Sequence, residues 1–143
     1  MSTTPTATGP WQLLFLAWLV ALAAALGALF VGEVMGQTPC LLCWYQRVCM
    51  FPLAIVLAVA SFRVDAGIWR YALPLAAMGM LIAGFHSLQY AGLIPEAIEP
   101  CGAGPSCTSA DMTIFGAVPL PYLSVAAFTM IAILLLLVRR RSS

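Results

Sequence analysis

The sequence contains no lysine, and charged residues make up only 8% of its 143 positions. The net charge of +1 is too small to indicate a nucleic-acid-binding protein. Hydrophobic residues make up 63% of the chain, and its mean hydropathy is +1.02. Because a soluble domain of this size has too little interior to bury that much apolar surface, we expect lipid to surround most of the chain.

The apolar residues fall into four segments, each approaching the roughly 20 residues that cross a hydrocarbon core. These segments are predicted at about 11–31, 44–62, 71–93 and 119–138. The first segment lacks the basic amino-terminal region and the short apolar core of a secretion signal, so it is predicted to be a retained helix. The sequence therefore predicts an all-α membrane protein, in which a four-transmembrane-helix bundle forms a single domain over residues 1–143.

Arginine placement predicts the orientation of this bundle. Arg63 and Arg70 flank the turn between the second and third segments, and Arg139 begins a run of three arginines in the carboxyl tail. The loops at about 32–43 and 92–118 contain neither lysine nor arginine. The positive-inside rule therefore predicts a multi-pass protein of the cytoplasmic membrane, with both termini and the middle turn in the cytoplasm. Four of the five cysteines then belong to two external loops: Cys40, Cys43, Cys101 and Cys107.

The first of these loops ends in the stretch Cys40-Leu-Leu-Cys43-Trp-Tyr-Gln-Arg47. Two cysteines separated by two residues close a small, strained disulfide that is easily reduced. At the amino end of a helix the dipole favours a thiolate on Cys43, and Arg47 stands four residues on, on the same helix face. The pattern favours a redox-active pair over a structural disulfide or, together with Cys101 and Cys107, a four-thiolate zinc site. Arg47 is also compatible with an anchoring role at the membrane interface.

The second loop holds Cys101 and Cys107 in a stretch rich in glycine and proline, which predicts a flexible hairpin. Such a hairpin brings the two cysteines within disulfide distance. On its own the pair is compatible with a loop staple or with an exchangeable disulfide. The presence of the Cys-x-x-Cys pair on the same membrane face favours an exchangeable disulfide here, because thiol–disulfide exchange passes electrons from one pair to the next.

Polar residues inside the apolar segments are further candidates. His86 and Gln89 form one polar stripe in the third segment, which indicates either a functional site or a helix–helix hydrogen bond. Cys49 lies within the second segment, where a small apolar packing role is favoured.

The stretch from Cys40 to Arg47 closely resembles the disulfide bond formation protein B (DsbB) family, in particular its short branch typified by BdbC. The resemblance extends over nearly the whole chain. It includes a glutamate at the end of the first helix, His86, Pro100-Cys101 with Cys107, and Phe115-Gly116 before the fourth helix.

The resemblance implies a membrane thiol–quinone oxidoreductase that supports disulfide-bond formation. Its expected partner is an extracytoplasmic thioredoxin-fold thiol oxidase, DsbA-like or BdbD-like, and its expected electron acceptor is a lipid quinone, ubiquinone or menaquinone. By position, Cys40 and Cys43 match the quinone-coupled pair, with Cys43 next to the ring, and Arg47 matches the quinone-site arginine. His86 matches a polar position of the third helix and is a further candidate for binding the quinone, and no metal site is implied.

By the same resemblance, Cys101 and Cys107 match the pair that exchanges with the soluble partner. Their close spacing departs from the longer branch of the family. The resemblance therefore does not identify which cysteines form a bond between the two loops. Two other functions are compatible with the composition. One is a vitamin K epoxide reductase-like enzyme, although that family places its Cys-x-x-Cys late in the chain. The other is a non-enzymatic scaffold or metal carrier with four external thiols.

Overall fold

The computed structural model describes residues 9–38, 40–95, 113–114 and 118–142. Within these residues the chain forms four long helices, and each is long and apolar enough to cross a membrane. They are α1 (Pro10–Leu29), α2 (Leu41–Arg63), α3 (Trp69–Tyr90) and α4 (Leu120–Ser142). The prediction of an all-α protein with four membrane spans is confirmed.

The helices pack in a ring in which α1 and α3 each contact both α2 and α4. Small residues line the faces that meet inside the ring, and they allow the helix backbones to approach closely. On α1 and α3 the buried small residues are Ala17, Ala21, Ala25, Ala72, Ala76, Gly79 and Ala83. The Phe128 ring of α4 occupies the space that a side chain at Gly79 would fill, so this glycine sets how closely α3 and α4 pack.

Contacts at one end of the bundle bring the two arginine clusters of the sequence together. The ring of Trp69, at the start of α3, lies 5.8 Å from the guanidinium carbon of Arg70 and 5.0 Å from that of Arg139, near the end of α4. The indole N–H of Trp11 in α1 donates to the carbonyl of Ser61 in α2 at 2.9 Å. We call this the arginine end of the bundle. The amino terminus of α2 lies roughly 33 Å away along the helix axis, at what we call the cysteine end.

The turn between α2 and α3 is short, which makes these helices antiparallel neighbours. Val64 ends α2 in the left-handed conformation at φ 54°, and the Asp65 carboxylate accepts a hydrogen bond from the Gly67 N–H at 3.0 Å. A 3₁₀ turn over Ala66–Ile68 then leads into α3.

Two features of the connections are not predicted from the sequence. The helix α1 continues into a π-helical turn over Phe30–Val34, a rare geometry that is frequent at functional sites. Between α3 and α4, β1 (Thr113–Ile114) and β2 (Val118–Pro119) pair antiparallel. Both features lie toward the cysteine end.

Candidate active site

The two cysteines of the Cys-x-x-Cys pair lie at the start of α2. Cys40 is the N-cap residue, with an extended backbone at φ −73° and ψ 172°, and its carbonyl accepts the N–H of Trp44 at 3.1 Å. The helix therefore begins at Leu41, about one turn earlier than the sequence predicts, and Cys43 lies inside its first turn. Residues three apart share a helix face, and the two sulfur atoms lie 3.2 Å apart. That separation is close to the bonded distance of about 2.05 Å, so a small rotation of either side chain closes the disulfide.

Arg47 lies one helical turn beyond Cys43 and is held by contacts from α1 and α2. Its Nη2 atom donates to the carbonyl of Ala28 at 2.8 Å, and its guanidinium carbon lies 5.6 Å from the centre of the Trp44 ring. Gly32, in the π-helical turn, leaves room for the guanidinium. A Cβ atom at this position would lie only 2.8 Å from Nη2. The π-helical turn and its glycine thus fix where the positive charge sits.

Cys43 and Arg47 open into one cavity of about 430 Å³ between α1, α2 and α4. This volume falls within the range of small-molecule sites, about 300 to 1,000 Å³. The walls are mostly apolar, and polar groups are few: the Cys43 thiol, the Arg47 guanidinium, the Gln46 amide and the Ser124 hydroxyl. A cavity with apolar walls and a thiol beside a cation suits an uncharged ring that carries oxygen atoms. The prediction that Cys43 and Arg47 share a helix face agrees with this geometry.

His86 lies behind the cysteine pair, on the Cys40 side. Its Nε2 atom is 3.8 Å from the Cys40 sulfur, and its Nδ1 atom is 2.9 Å from the amide nitrogen of Gln46. With the amide nitrogen of Gln46 placed toward the ring, Nδ1 accepts, and this arrangement leaves Nε2 as the ring atom that carries a proton toward Cys40. The three side chains are almost fully buried, with Cys40 0%, His86 1% and Gln46 7% exposed. Among the described residues His86 is not part of the cavity lining, so its assignment to a quinone site stays a prediction.

Sequence reasoning assigned no role to Gln46. A sequence signal for Gln46 was nevertheless present, since it is an amide side chain three residues after Cys43 in a predominantly apolar span. Gln89, the other member of the predicted polar stripe, is 1% exposed, and its amide atoms have no hydrogen-bond partner among the described residues. Cys49 is buried in the apolar core, as the sequence predicts. The predicted pair Cys101 and Cys107 lies outside the described residues.

The sequence matches one protein-family model and several known proteins over most of its length. The family model described as "Disulfide bond formation protein DsbB" matches residues 10–138. A "Probable disulfide formation protein" of Metapseudomonas resinovorans is 60% identical over 134 residues, which cover 93% of each chain. "Disulfide bond formation protein C" of Bacillus subtilis is 37% identical, over 91% of this chain and 94% of the relative. A "Probable disulfide formation protein" of Deinococcus radiodurans is 44% identical, over 90% and 89% of the two chains. No solved structure matches the chain at a significant level.

Proposed function

The chain belongs to the disulfide bond formation protein DsbB family, and on that premise we propose how its residues divide the work. The protein is a membrane disulfide oxidoreductase that supports disulfide-bond formation. The family is generally quinone-linked and implies a thiol oxidase as partner. In our proposal Cys40 and Cys43 are the couple that transfers electrons to the quinone, and Arg47 is part of the quinone site.

The observation that carries this proposal is the cavity shared by Cys43 and Arg47. A quinone headgroup is an apolar ring with two carbonyl oxygens, and the cavity offers apolar walls with a cationic hydrogen-bond donor at its polar end. Cys43 is the cysteine of the pair that faces the cavity, whereas Cys40 is fully buried. When bound, the quinone supplies the oxidising power, since it takes up two electrons and two protons.

Electrostatics at the start of α2 suit an anionic sulfur on Cys43. The first turn of a helix carries a partial positive charge from its unsatisfied N–H groups, and Cys43 lies in that turn. The Arg47 guanidinium adds a full positive charge to the same cavity. When the dithiol is oxidised, the bond that forms is Sγ–Sγ between Cys40 and Cys43, and two electrons and two protons leave the pair.

His86 and Gln46 act on the other sulfur. With its proton on Nε2, the ring donates toward Cys40 and stabilises an anion there whenever the disulfide is opened. Gln46 holds the ring in this orientation through Nδ1. In this arrangement each sulfur of the couple has its own supporting group, Arg47 for Cys43 and His86 for Cys40.

Exchange with the soluble partner is proposed for Cys101 and Cys107. Cys40 is fully buried and Cys43 faces a membrane-depth cavity, so a large soluble protein needs an intermediate thiol pair to reach them. The partner's dithiol would reduce the Cys101–Cys107 disulfide by thiol–disulfide exchange, and the resulting thiols would reduce Cys40–Cys43. The proposed partner is an extracytoplasmic thiol oxidase of the thioredoxin fold.

The proposed orientation in the cytoplasmic membrane places the arginine end in the cytoplasm and the cysteine end outside. Its support is that Arg70 and Arg139 meet on the Trp69 ring, so the basic residues of two separate segments share one end. The Cys40–Cys43 pair lies at the opposite end of α2, which would place the redox centre near the oxidising side.

The test is quinone reduction by a reduced thioredoxin-fold partner with the purified protein. We expect Cys40→Ser, Cys43→Ser and Cys101→Ser to abolish turnover, and Arg47→Leu to lower it by about 10²–10³-fold, as for the loss of one preorganised electrostatic donor. Cys49→Ala is the matched control and should keep full turnover, since its sulfur is buried in the core. Retained turnover in Cys40→Ser or Cys43→Ser would overturn the proposal.

A further inference from the structure

Three potential metal ligands converge at the cysteine end of the bundle. The sulfur atoms of Cys40 and Cys43 and a ring nitrogen of His86 all lie within 4.8 Å of one another. Two sulfurs and one imidazole form a donor set that Zn²⁺ favours. We infer that Cys40, Cys43 and His86 bind one Zn²⁺ ion when the two cysteines are reduced, and that this ion blocks turnover.

The observed distances are close to those of a zinc site. Tetrahedral bonds of about 2.3 Å to sulfur and about 2.0–2.1 Å to nitrogen put neighbouring donors roughly 3.6–3.8 Å apart. The two sulfurs lie 3.2 Å apart, and the Cys40 sulfur lies 3.8 Å from His86 Nε2. Small side-chain rotations therefore suffice to seat the ion. Three protein ligands leave a fourth position open, as in catalytic zinc sites.

The charge balance favours the ion in this buried position. Cys40 and His86 are almost fully buried, and an uncompensated charge is costly in such surroundings. Zn²⁺ and two thiolates together carry no net charge. Binding therefore releases one proton from each of the two thiols while His86 coordinates in its neutral form. Cys43 lines the cavity, which provides a path for the ion to enter.

Gln46 is suited to orient the histidine of this site. Metal-bound histidines nearly always donate their second ring N–H to an oxygen, which fixes the tautomer. The Gln46 amide lies 2.9 Å from Nδ1 through its nitrogen, and a half-turn about its last side-chain bond presents the oxygen to the same ring atom. Nδ1–H then donates to that oxygen, and the Nε2 lone pair faces the sulfurs. One glutamine thus supports both the metal-free and the metal-bound tautomer.

The redox state of the cysteines would control metal binding. A disulfide has no thiolate to offer, so oxidation of Cys40 and Cys43 removes two of the three ligands. Conversely, bound zinc holds both sulfurs as thiolates and prevents them from forming the disulfide. This gating rests on the proposed function, because it requires the two cysteines to be the redox couple, whereas the metal site itself depends only on the three side chains.

The experiment uses the full chain carrying Cys101→Ser and Cys107→Ser, so that the outer cysteines contribute no ligands. The reduced protein is titrated with Zn²⁺ against a chromophoric chelator and, separately, with Co²⁺, whose bonds to thiolates give a charge-transfer absorption band. We expect one equivalent of either ion in the reduced protein, and none after the Cys40–Cys43 disulfide has been formed with the thiol oxidant diamide and verified by thiol counting. Binding that is equal in both redox states would overturn the inference.

Variants separate this site from other thiol chemistry. We expect Gln46→Leu to weaken Zn²⁺ binding by about 10–100-fold, the usual effect of an outer-shell change, and His86→Leu to weaken it at least as much. Cys49→Ala is the matched control and should bind with unchanged affinity. A far-UV circular dichroism spectrum and a cooperative thermal transition like those of the wild-type protein show that His86→Leu is folded. Unchanged zinc affinity in a folded His86→Leu would refute the assignment.

The experiments distinguish failure of the zinc-site inference from failure of the proposed function. If the wild-type protein reduces quinone in the presence of a chelator but binds no zinc, the metal inference alone is wrong. If zinc binds to the three side chains but no quinone reduction occurs, the proposed function is wrong and the metal site stands. Inhibition of wild-type turnover by buffered Zn²⁺, and its reversal by the chelator, is expected when both hold.

Discussion

The substitution Gly32→Ala should shift the Arg47 guanidinium without replacing any charged or redox-active residue of the site. The added Cβ atom would lie 2.8 Å from Arg47 Nη2, whereas carbon contacts are optimal at about 3.5 Å or more. The guanidinium tip must therefore retreat by roughly 0.7 Å. A shift of this size stretches its 2.8 Å hydrogen bond to the Ala28 carbonyl beyond good geometry.

The expected magnitude follows from that hydrogen bond. A hydrogen bond to a charged group contributes about 1.5–3 kcal/mol. If the displaced Arg47 guanidinium stabilises the Cys43 anion less by this amount, the rate of quinone reduction should fall by about 10- to 100-fold. The free energy of unfolding should fall by no more than about 2 kcal/mol, because alanine, the better helix former by about 1 kcal/mol, offsets part of the lost hydrogen bond.

The assay is steady-state quinone reduction, with thermal unfolding measured on the same preparations. Gly84→Ala in α3 is the matched control, because no atom lies within 4 Å of its added Cβ. Gly32→Ala should have little further effect when combined with Arg47→Leu, since both changes act through one guanidinium. Full activity in Gly32→Ala, or a loss that adds to that of Arg47→Leu, would refute this reasoning.

Three further predictions concern packing, the histidine and the topology. Gly79→Ala should lower the free energy of unfolding by about 1–3 kcal/mol, because the Phe128 ring occupies the space of the new methyl group. Thermal or denaturant unfolding measures this change, and unchanged stability would contradict the packing of α3 against α4. Gln46→Leu should slow single-turnover disulfide formation by about tenfold or more, because His86 loses the partner that orients it. Gln46→Asn keeps an amide that can donate to Nδ1 and should retain more of the rate, so equal rates in the two variants would count against a positioning role. Gly67→Cys in an otherwise cysteine-free chain should react with a membrane-impermeant thiol reagent only after permeabilisation, and labelling of intact cells would reverse the proposed orientation.

Much of the fold was predictable because membrane spans are decided by apolar length. Each span needs only enough consecutive apolar residues, so the four helices could be placed without tertiary information. Their ends were harder to predict. The start of α2 depends on the extended backbone of Cys40, an N-cap residue without the oxygen-bearing side chain that usually signals a cap.

The geometry of the candidate site was predictable where its residues are close in sequence. Cys43 and Arg47 share a helix face because they are four residues apart, and periodicity alone brings them to one cavity. The partnership of Gln46 with His86 joins two helices across 40 positions of the sequence, and no local pattern encodes that contact. The fit of Arg47 against Gly32 likewise depends on a π-helical turn, which is rare and has no simple sequence signature.

The cavity also has a length, and that length affects how its ligand is selected. Its lining on α1 and the π-helical turn extends from Val20 to Val31, which is roughly 16 Å along the helix, with Cys43 and Arg47 contributed by α2. A hydrocarbon tail that moves from the lipid bilayer into the apolar part of the cavity exchanges one apolar environment for another. Tail length therefore adds little to affinity. Discrimination between quinones then depends on the ring and its oxygens. The affinities of quinones that differ only in tail length become comparable when their concentrations are expressed per lipid rather than per volume of water.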